Sequence, residues 1–220
     1  MDVRGFHLAD GERYALLDEP AEQIVVNKGE VTPEFEEDAD IDLVSYELKK
    51  FGSLLYDANF NVLEVVFDGI EVVNEVPSEL DVLGRLVEDE LPLDVPRTYY
   101  GMEKANYRKR LELNRESYTP TAKNYLYMLR GLFGAQYVID RHAITADIYE
   151  LSAHTLGDTE LVDELVAAKR TGESAVVDDS LAERADEQIA RLFGEIDPPR
   201  RVDKEAYRAR LNDWMREVRG

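Results

Sequence analysis

The sequence contains no cysteine. That removes disulfides from the fold and thiolate ligands from any metal site. Histidine is almost as scarce. His7, His142 and His154 are widely and irregularly spaced, which gives none of the paired ligand spacings of a zinc centre. No run approaches the roughly 18 apolar residues of a membrane-crossing helix. The opening MDVRGFHLAD carries charge where a secretory signal would be apolar. Lysine is also short, at 8 residues against 18 arginines. These absences lead us to expect a soluble, cytoplasmic protein with no membrane partner.

What the chain has in excess is carboxylate: 47 acidic against 26 basic residues, a net charge of −21. The acid is spread over most of the 220 residues rather than gathered in one block, which speaks against an acidic tail or a nucleic-acid mimic. It reads instead as adaptation to molar salt, a halophilic trait, because at that strength the Debye length is only about 3 Å and self-repulsion is screened. A hydrophobic content of 44% supports a real core, and the length suits one large domain or two small ones.

One segment departs from the acidic background. Residues 97–141 hold nine basic residues (Arg97, Lys104, Arg108, Lys109, Arg110, Arg115, Lys123, Arg130, Arg141) against four acidic ones, a local charge of +5. Seven of the twelve tyrosines lie there as well. Lys104, Arg108 and Arg115 fall on one helical stripe, and Lys123, Tyr127 and Arg130 on another. The second stripe runs beside an apolar one made by Ala122, Leu126, Leu129 and Phe133, so its cations stand at the edge of a core where a phosphate can reach them. Two bland readings accompany this: the cations pair with the acidic surface of the other domain, and the tyrosines are packing residues.

Along the chain, strands are predicted at Asp2–Leu8, Glu22–Val26 and Ile41–Ser45, with a helix over Tyr46–Tyr56 and an asparagine-capped apolar stretch over Asn59–Phe67. From Ser78 the pattern is helical: about 78–90, 98–116, 120–139, 158–170, 178–194 and 203–218. The two prolines of LPLDVP (91–96) mark the expected boundary. The outline is an α+β chain: a small mixed-sheet α/β domain over 1–92 and an all-helical domain over 93–220 that carries the basic island. Carboxylates in the first domain and cations in the second suggest a reaction at a cleft between them. Asp2 and Asp42, on neighbouring strands, can hold a hard cation through oxygen ligands.

The run DLVSYELKKFGSLLYDANFNVLEVVF (42–67) resembles a signature of predicted nucleotidyltransferases of the DNA polymerase β superfamily, in the branch associated with RNA repair. The stretch Asp-x-x-x-Tyr-Glu-Leu-x-Lys-Phe is carried by Asp42, Tyr46, Glu47, Leu48, Lys50 and Phe51. The following Asn-Pro-Asn-x-Leu-Glu is carried by Asn59, Asn61, Leu63 and Glu64, with Phe60 in place of proline. Asp2-Val3-Arg4-Gly5 is similar to the tail of the family's Asp-x-Asp-x-Arg-Gly. KNYLYMLR (123–130) and KRTGE (169–173) are similar, more loosely, to its Lys-bearing helix and later Arg-x-Gly-Glu.

The resemblance implies transfer of a nucleoside monophosphate from a nucleoside triphosphate to an acceptor such as RNA or DNA, by a two-metal mechanism with Mg²⁺. It implies a nucleotidyltransferase-like fold for the first domain. Asp2 and Asp42 would be catalytic metal ligands; Lys123, Tyr127 and Arg130 would bind the nucleotide; Arg108, Lys109 and Arg110 would bind the acceptor. The family pattern also has a Gly-Ser turn and an earlier aspartate, and Met1 stands between the two aspartate positions. Either the start lies upstream or the chain is a degenerate relative. The expectation is an upstream start and little or no transfer by the chain as given. The alternative functions are a non-catalytic nucleic-acid-binding module built on the island, and an interaction protein that docks an acidic partner or a second copy through it.

Overall fold

A computed structural model describes residues 2–7, 42–67, 78–88, 91–109, 119–172, 174–198 and 204–219. Its elements are strands β1 (Asp2–His7) and β2 (Asp42–Glu47), then helices α1 (Leu48–Tyr56), α2 (Phe60–Phe67), α3 (Ser78–Glu88), α4 (Leu91–Tyr107), α5 (Ala122–Arg141), α6 (Ile148–Leu156), α7 (Glu160–Arg170), α8 (Asp179–Glu195) and α9 (Glu205–Arg219). They form two compact units. One is Met1–Asp89 together with Asp203–Gly220, and the other is Glu90–Val202.

In the first unit β1 and β2 pair in parallel. β2 runs straight into α1 because Glu47 stays extended and its carboxylate accepts the Lys49 backbone N–H at 2.8 Å. A carboxylate at this position satisfies an orphan donor and meets the positive end of the helix dipole. Leu48, Phe51 and Leu55 then recur on one face and are all buried. Asn59 opens α2, its Oδ1 accepting the Asn61 N–H at 3.1 Å. α9 packs on α1 and α3 and buries Leu211, Trp214 and Met215. Gly52 permits that contact: a Cβ there would stand 2.7 Å from the Met215 sulfur. At the start of α9, Lys204 donates to the Tyr56 carbonyl and its ammonium lies 4.1 Å from the Tyr56 ring centroid. Tyr207 stacks on the same ring.

In the second unit α5 is the central element, packed by α4, α6, α7 and α8. It begins at a reciprocal cap. The Thr121 hydroxyl accepts the Asn124 N–H, and the Asn124 side chain accepts the Thr121 N–H. α4 lies close against it. The Gly131 position is occupied on that side by the Glu103 carboxylate, and at Gly134 a Cβ would come 3.1 Å from the Tyr99 ring. α6 is bounded by Asp147, which accepts the Tyr149 and Glu150 N–H groups, and by Gly157 in the left-handed region at φ 85.

The expected mixed-sheet domain is overturned. Among the described residues the β structure is one parallel pair and an isolated bridge, Thr121↔Val176, and nine helices make up the rest of the regular structure. Among its described residues even the first unit is dominated by α1, α2, α3 and α9. The expected strand at Glu22–Val26 lies outside the described residues. LPLDVP lies just past the division between the two units, since the second begins at Glu90. It forms the start of α4, where Pro92 falls in the first turn, a place that needs no N–H donor, and Pro96 is carried inside the helix. α6 escaped the periodicity, being only nine residues long. α9, grouped by sequence with the helical domain, packs in the first unit.

The chain's single tryptophan, Trp214, is 2% exposed and so reports the docking of α9. Leu211→Ala is expected to lower stability by about 2–5 kcal/mol through the cavity it leaves. It should also shift Trp214 emission to the red. Urea unfolding followed by fluorescence checks both, and an unchanged midpoint would contradict the packing described.

Candidate functional site

The register of the parallel ladder sets Asp2 opposite Asp42, followed by Val3↔Leu43 and Arg4↔Val44. Paired strands run about 4.8 Å apart, so the two aspartate positions are immediate neighbours. A pair of carboxylates is a hard-oxygen donor set, suited to a cation such as Mg²⁺ that keeps several waters and takes only one or two carboxylates from the protein. The donor type therefore fits the metal that the sequence implies. Among the described residues no group of three or more His, Asp or Glu side chains is arranged to hold a metal ion.

The second set of residues is on α5. Ala122, Leu126, Leu129 and Phe133 are buried and turn the helix so that Lys123, Tyr127 and Arg130 lie along its outer side. Lys123 and Arg130 are half-buried. Tyr127 is 52% exposed, and the Arg130 guanidinium sits over its ring, 5.5 Å from the centroid. This is a short strip with two cations and one solvent-facing aromatic.

Most other tyrosines of the island hold the fold together. Tyr99 and Tyr125 are buried at 1% and 2% exposure, and the Tyr125 hydroxyl donates to Asp186 at 3.3 Å. Tyr100 and Tyr107 both pack edge-on against Phe193 of α8, and the Tyr100 hydroxyl donates to the Phe193 carbonyl. Tyr137 donates to Glu150 at 2.5 Å. That hydrogen bond, with burial and the Glu150 charge added, raises the pKa of the phenol. Two of the cations are structural in the same sense: Arg97 pairs with Asp94, and Arg141 reaches His154 at 3.5 Å.

The stripe on α4 ends differently. Lys104, Arg108 and Lys109 are exposed. Lys104 lies over the Tyr100 ring. Arg108 and Lys109 follow directly on the last residue of α4. Tyr100 and Tyr107 thus anchor the helix while its cations face solvent at its C-terminal, dipole-negative end. Arg110 and Arg115 lie outside the described residues, as does Glu173. Lys169 and Arg170 close the last turn of α7.

Sequence spacing did not single out Glu103, Gly131 or Asn124, which shape the strip from beneath and from its start. The Gly131-x-x-Gly134 spacing within the apolar stretch 131–135 of α5 was the available signal for a close helix contact.

The family model RlaP, described as the RNA repair pathway DNA polymerase beta family, matches residues 1–217. The chain belongs to that family. No curated protein and no solved structure matches it. In this RNA-repair polymerase β family member the resembling run 42–67 covers β2, α1 and α2. Several of its residues have structural duties: Glu47 caps α1, Asn59 opens α2, and Leu48, Phe51 and Leu63 are core. No helix among the described residues is long and apolar enough to cross a membrane.

Where α5 meets α6, the Asp140 carboxyl is pushed up by burial, but hydrogen bonds from Gln136 and His154 and the charges of His154 and Arg141 outweigh this and hold its pKa below the usual value. A depressed folded pKa contributes stability above the unfolded pKa of about 3.9, and that contribution is lost as pH falls through the folded value. Asp140→Asn is therefore expected to be slightly less stable than the parent at pH 6, with the difference fading below about pH 4. Thermal melts from pH 3 to 7 test this, and a gap that persists at pH 3 would rule it out.

Proposed function

We propose that this family member is a nucleotidyltransferase that moves a nucleoside monophosphate from a nucleoside triphosphate to an acceptor hydroxyl, with RNA as the acceptor class. The observation that carries the reading is the in-register pairing of Asp2 with Asp42 in a chain of the RNA repair pathway DNA polymerase beta family. Asp2 and Asp42 would hold Mg²⁺, which when bound supplies Lewis acidity to phosphoryl oxygens and acidity to an attacking hydroxyl.

The remaining work falls to the side chains. Lys123 and Arg130 hold the triphosphate by charge-assisted hydrogen bonds, and Tyr127 packs against the nucleoside. Arg108, Lys109 and Arg110 hold the acceptor backbone. The acceptor oxygen forms a bond to the α-phosphorus as the bond to pyrophosphate breaks, and the hydroxyl proton leaves to base or solvent. The cations neutralise charge that gathers on the departing pyrophosphate.

Calorimetry with Mg²⁺ and each nucleoside triphosphate tests the reading. Lys123→Ala and Arg130→Ala are each expected to weaken binding about ten-fold or more, the weight of a hydrogen bond to a charged group. Asp42→Asn is expected to remove the Mg²⁺-dependent part of the affinity. Absence of heat with all four triphosphates would sink the proposal.

A second reading, a nucleic-acid-binding module without catalysis, is favoured by the exposure of Lys104, Arg108 and Lys109 at the end of α4. Under either reading, replacing Arg108 and Lys109 by alanine is expected to weaken single-stranded RNA binding. The salt dependence of log K should become shallower by about 0.7 per lost phosphate contact. The two readings part at the triphosphate: the module binds RNA but gives no heat with any nucleotide.

A further inference from the structure

Tyr127 is the aromatic of the strip whose surface faces solvent, at 52% exposure, and the Arg130 guanidinium over its ring makes a cation–aromatic pair beside the phosphate-binding positions. What surrounds it on α5 is equally informative. The neighbours of Tyr127 on a helix surface are the residues three and four away: Lys123, Asn124, Arg130 and Gly131. Lys123 and Arg130 are cations. Asn124 is the amide that could read the edge of a base, but its Oδ1 accepts from both the backbone and the hydroxyl of Thr121, which commits it to the capping box. Gly131 offers no side chain, and the space beside it belongs to the Glu103 carboxylate. The strip therefore combines a stacking surface with charge and has no donor–acceptor pattern on α5 matched to a particular base.

We infer that Tyr127 is a stacking platform for the base of the nucleoside triphosphate, and that it selects by the area of the base rather than by its edge: purines over pyrimidines, with adenine and guanine treated alike. This rests on the triphosphate reading given above. Stacking on an aromatic side chain tolerates any base because every base has a π-face, and its loss weakens binding by about 5- to 150-fold. The larger purine ring system covers more of the tyrosine, so its affinity exceeds that of a pyrimidine by several-fold.

The test is equilibrium binding of the full chain, with Mg²⁺, to the four nucleoside triphosphates and to inorganic tripolyphosphate, which has no base. The expected order is adenosine and guanosine triphosphates equal within about three-fold, then the two pyrimidine nucleotides, then tripolyphosphate, on the basis of stacking alone. Tyr127→Ala should bring both purine nucleotides down toward tripolyphosphate and leave tripolyphosphate itself unchanged, and Tyr127→Phe should keep the parent values. Being exposed, position 127 tolerates the change without loss of fold, which circular dichroism verifies. If tripolyphosphate and nucleotides bind but Tyr127→Ala alters none of them, or if adenosine and guanosine triphosphates differ by more than ten-fold, the inference is wrong while the triphosphate reading stands. If neither tripolyphosphate nor any nucleotide binds, both are wrong.

Discussion

The second unit depends on how closely α4 can lie against α5. Packed helices ordinarily keep their axes 8–10 Å apart, set by the side chains between them. At Gly131 and Gly134 there are none on α5, and the space is taken by Glu103 and the Tyr99 ring. Glu103 is 3% exposed, and a buried carboxylate needs hydrogen bonds to offset its lost hydration. Asn106 donates one at 3.1 Å. A glycine pair thus fixes the spacing of two helices and the burial of a charge at once. It also fixes which side of α5 remains outside: with one face against α4 and others against α6, α7 and α8, the strip of Lys123, Tyr127 and Arg130 is what is left.

The basic island resolves into two populations. Arg97, Arg141 and the tyrosines at 99, 100, 107, 125 and 137 are fastened to Asp94, His154, Phe193, Asp186 and Glu150 or buried outright. Lys104 on α4, Arg108 and Lys109 just beyond it, and Tyr127 on α5 are exposed. Clustering in sequence therefore mixed scaffold with surface. Among the described residues the packing reading holds for the larger share of the island's tyrosines, and the ligand-binding reading narrows to Tyr127.

Much of this was legible in the residues. The 3.6 period placed α5, α7, α8 and α9 to within a few residues because each buries a repeating apolar stripe. The strands expected at Asp2–Leu8 and Ile41–Ser45 correspond to β1 and β2, while their parallel pairing was not foreseen. The mixed sheet was over-read because among the described residues of the first unit the helices α1, α2, α3 and α9 outweigh a single strand pair. The helix over 98–116 was started too late because both prolines were kept out of it: Pro92 suits the first turn of α4, where no donor is needed, and Pro96 is accommodated inside the helix. Register was beyond reach altogether: that Asp2 faces Asp42 follows from pairing between segments some forty residues apart, which no local pattern encodes. Glu103 was similarly hidden, because its role depends on a missing side chain in another helix.

The first unit is sewn from two distant stretches, Met1–Asp89 and Asp203–Gly220, with the whole second unit threaded between them. During synthesis the second unit is contiguous and can close on itself as soon as it emerges. The first must hold α1 and α3 with an apolar face uncovered until α9 arrives to bury Trp214 and Met215 against them. Its contacts span well over a hundred residues of chain, the arrangement in which loop closure is costly and folding slow. The strand pair bearing Asp2 and Asp42 thus belongs to the part of the protein that matures last, so a ribosome-bound or C-terminally clipped chain would present the folded unit that carries the basic island well before a finished strand pair.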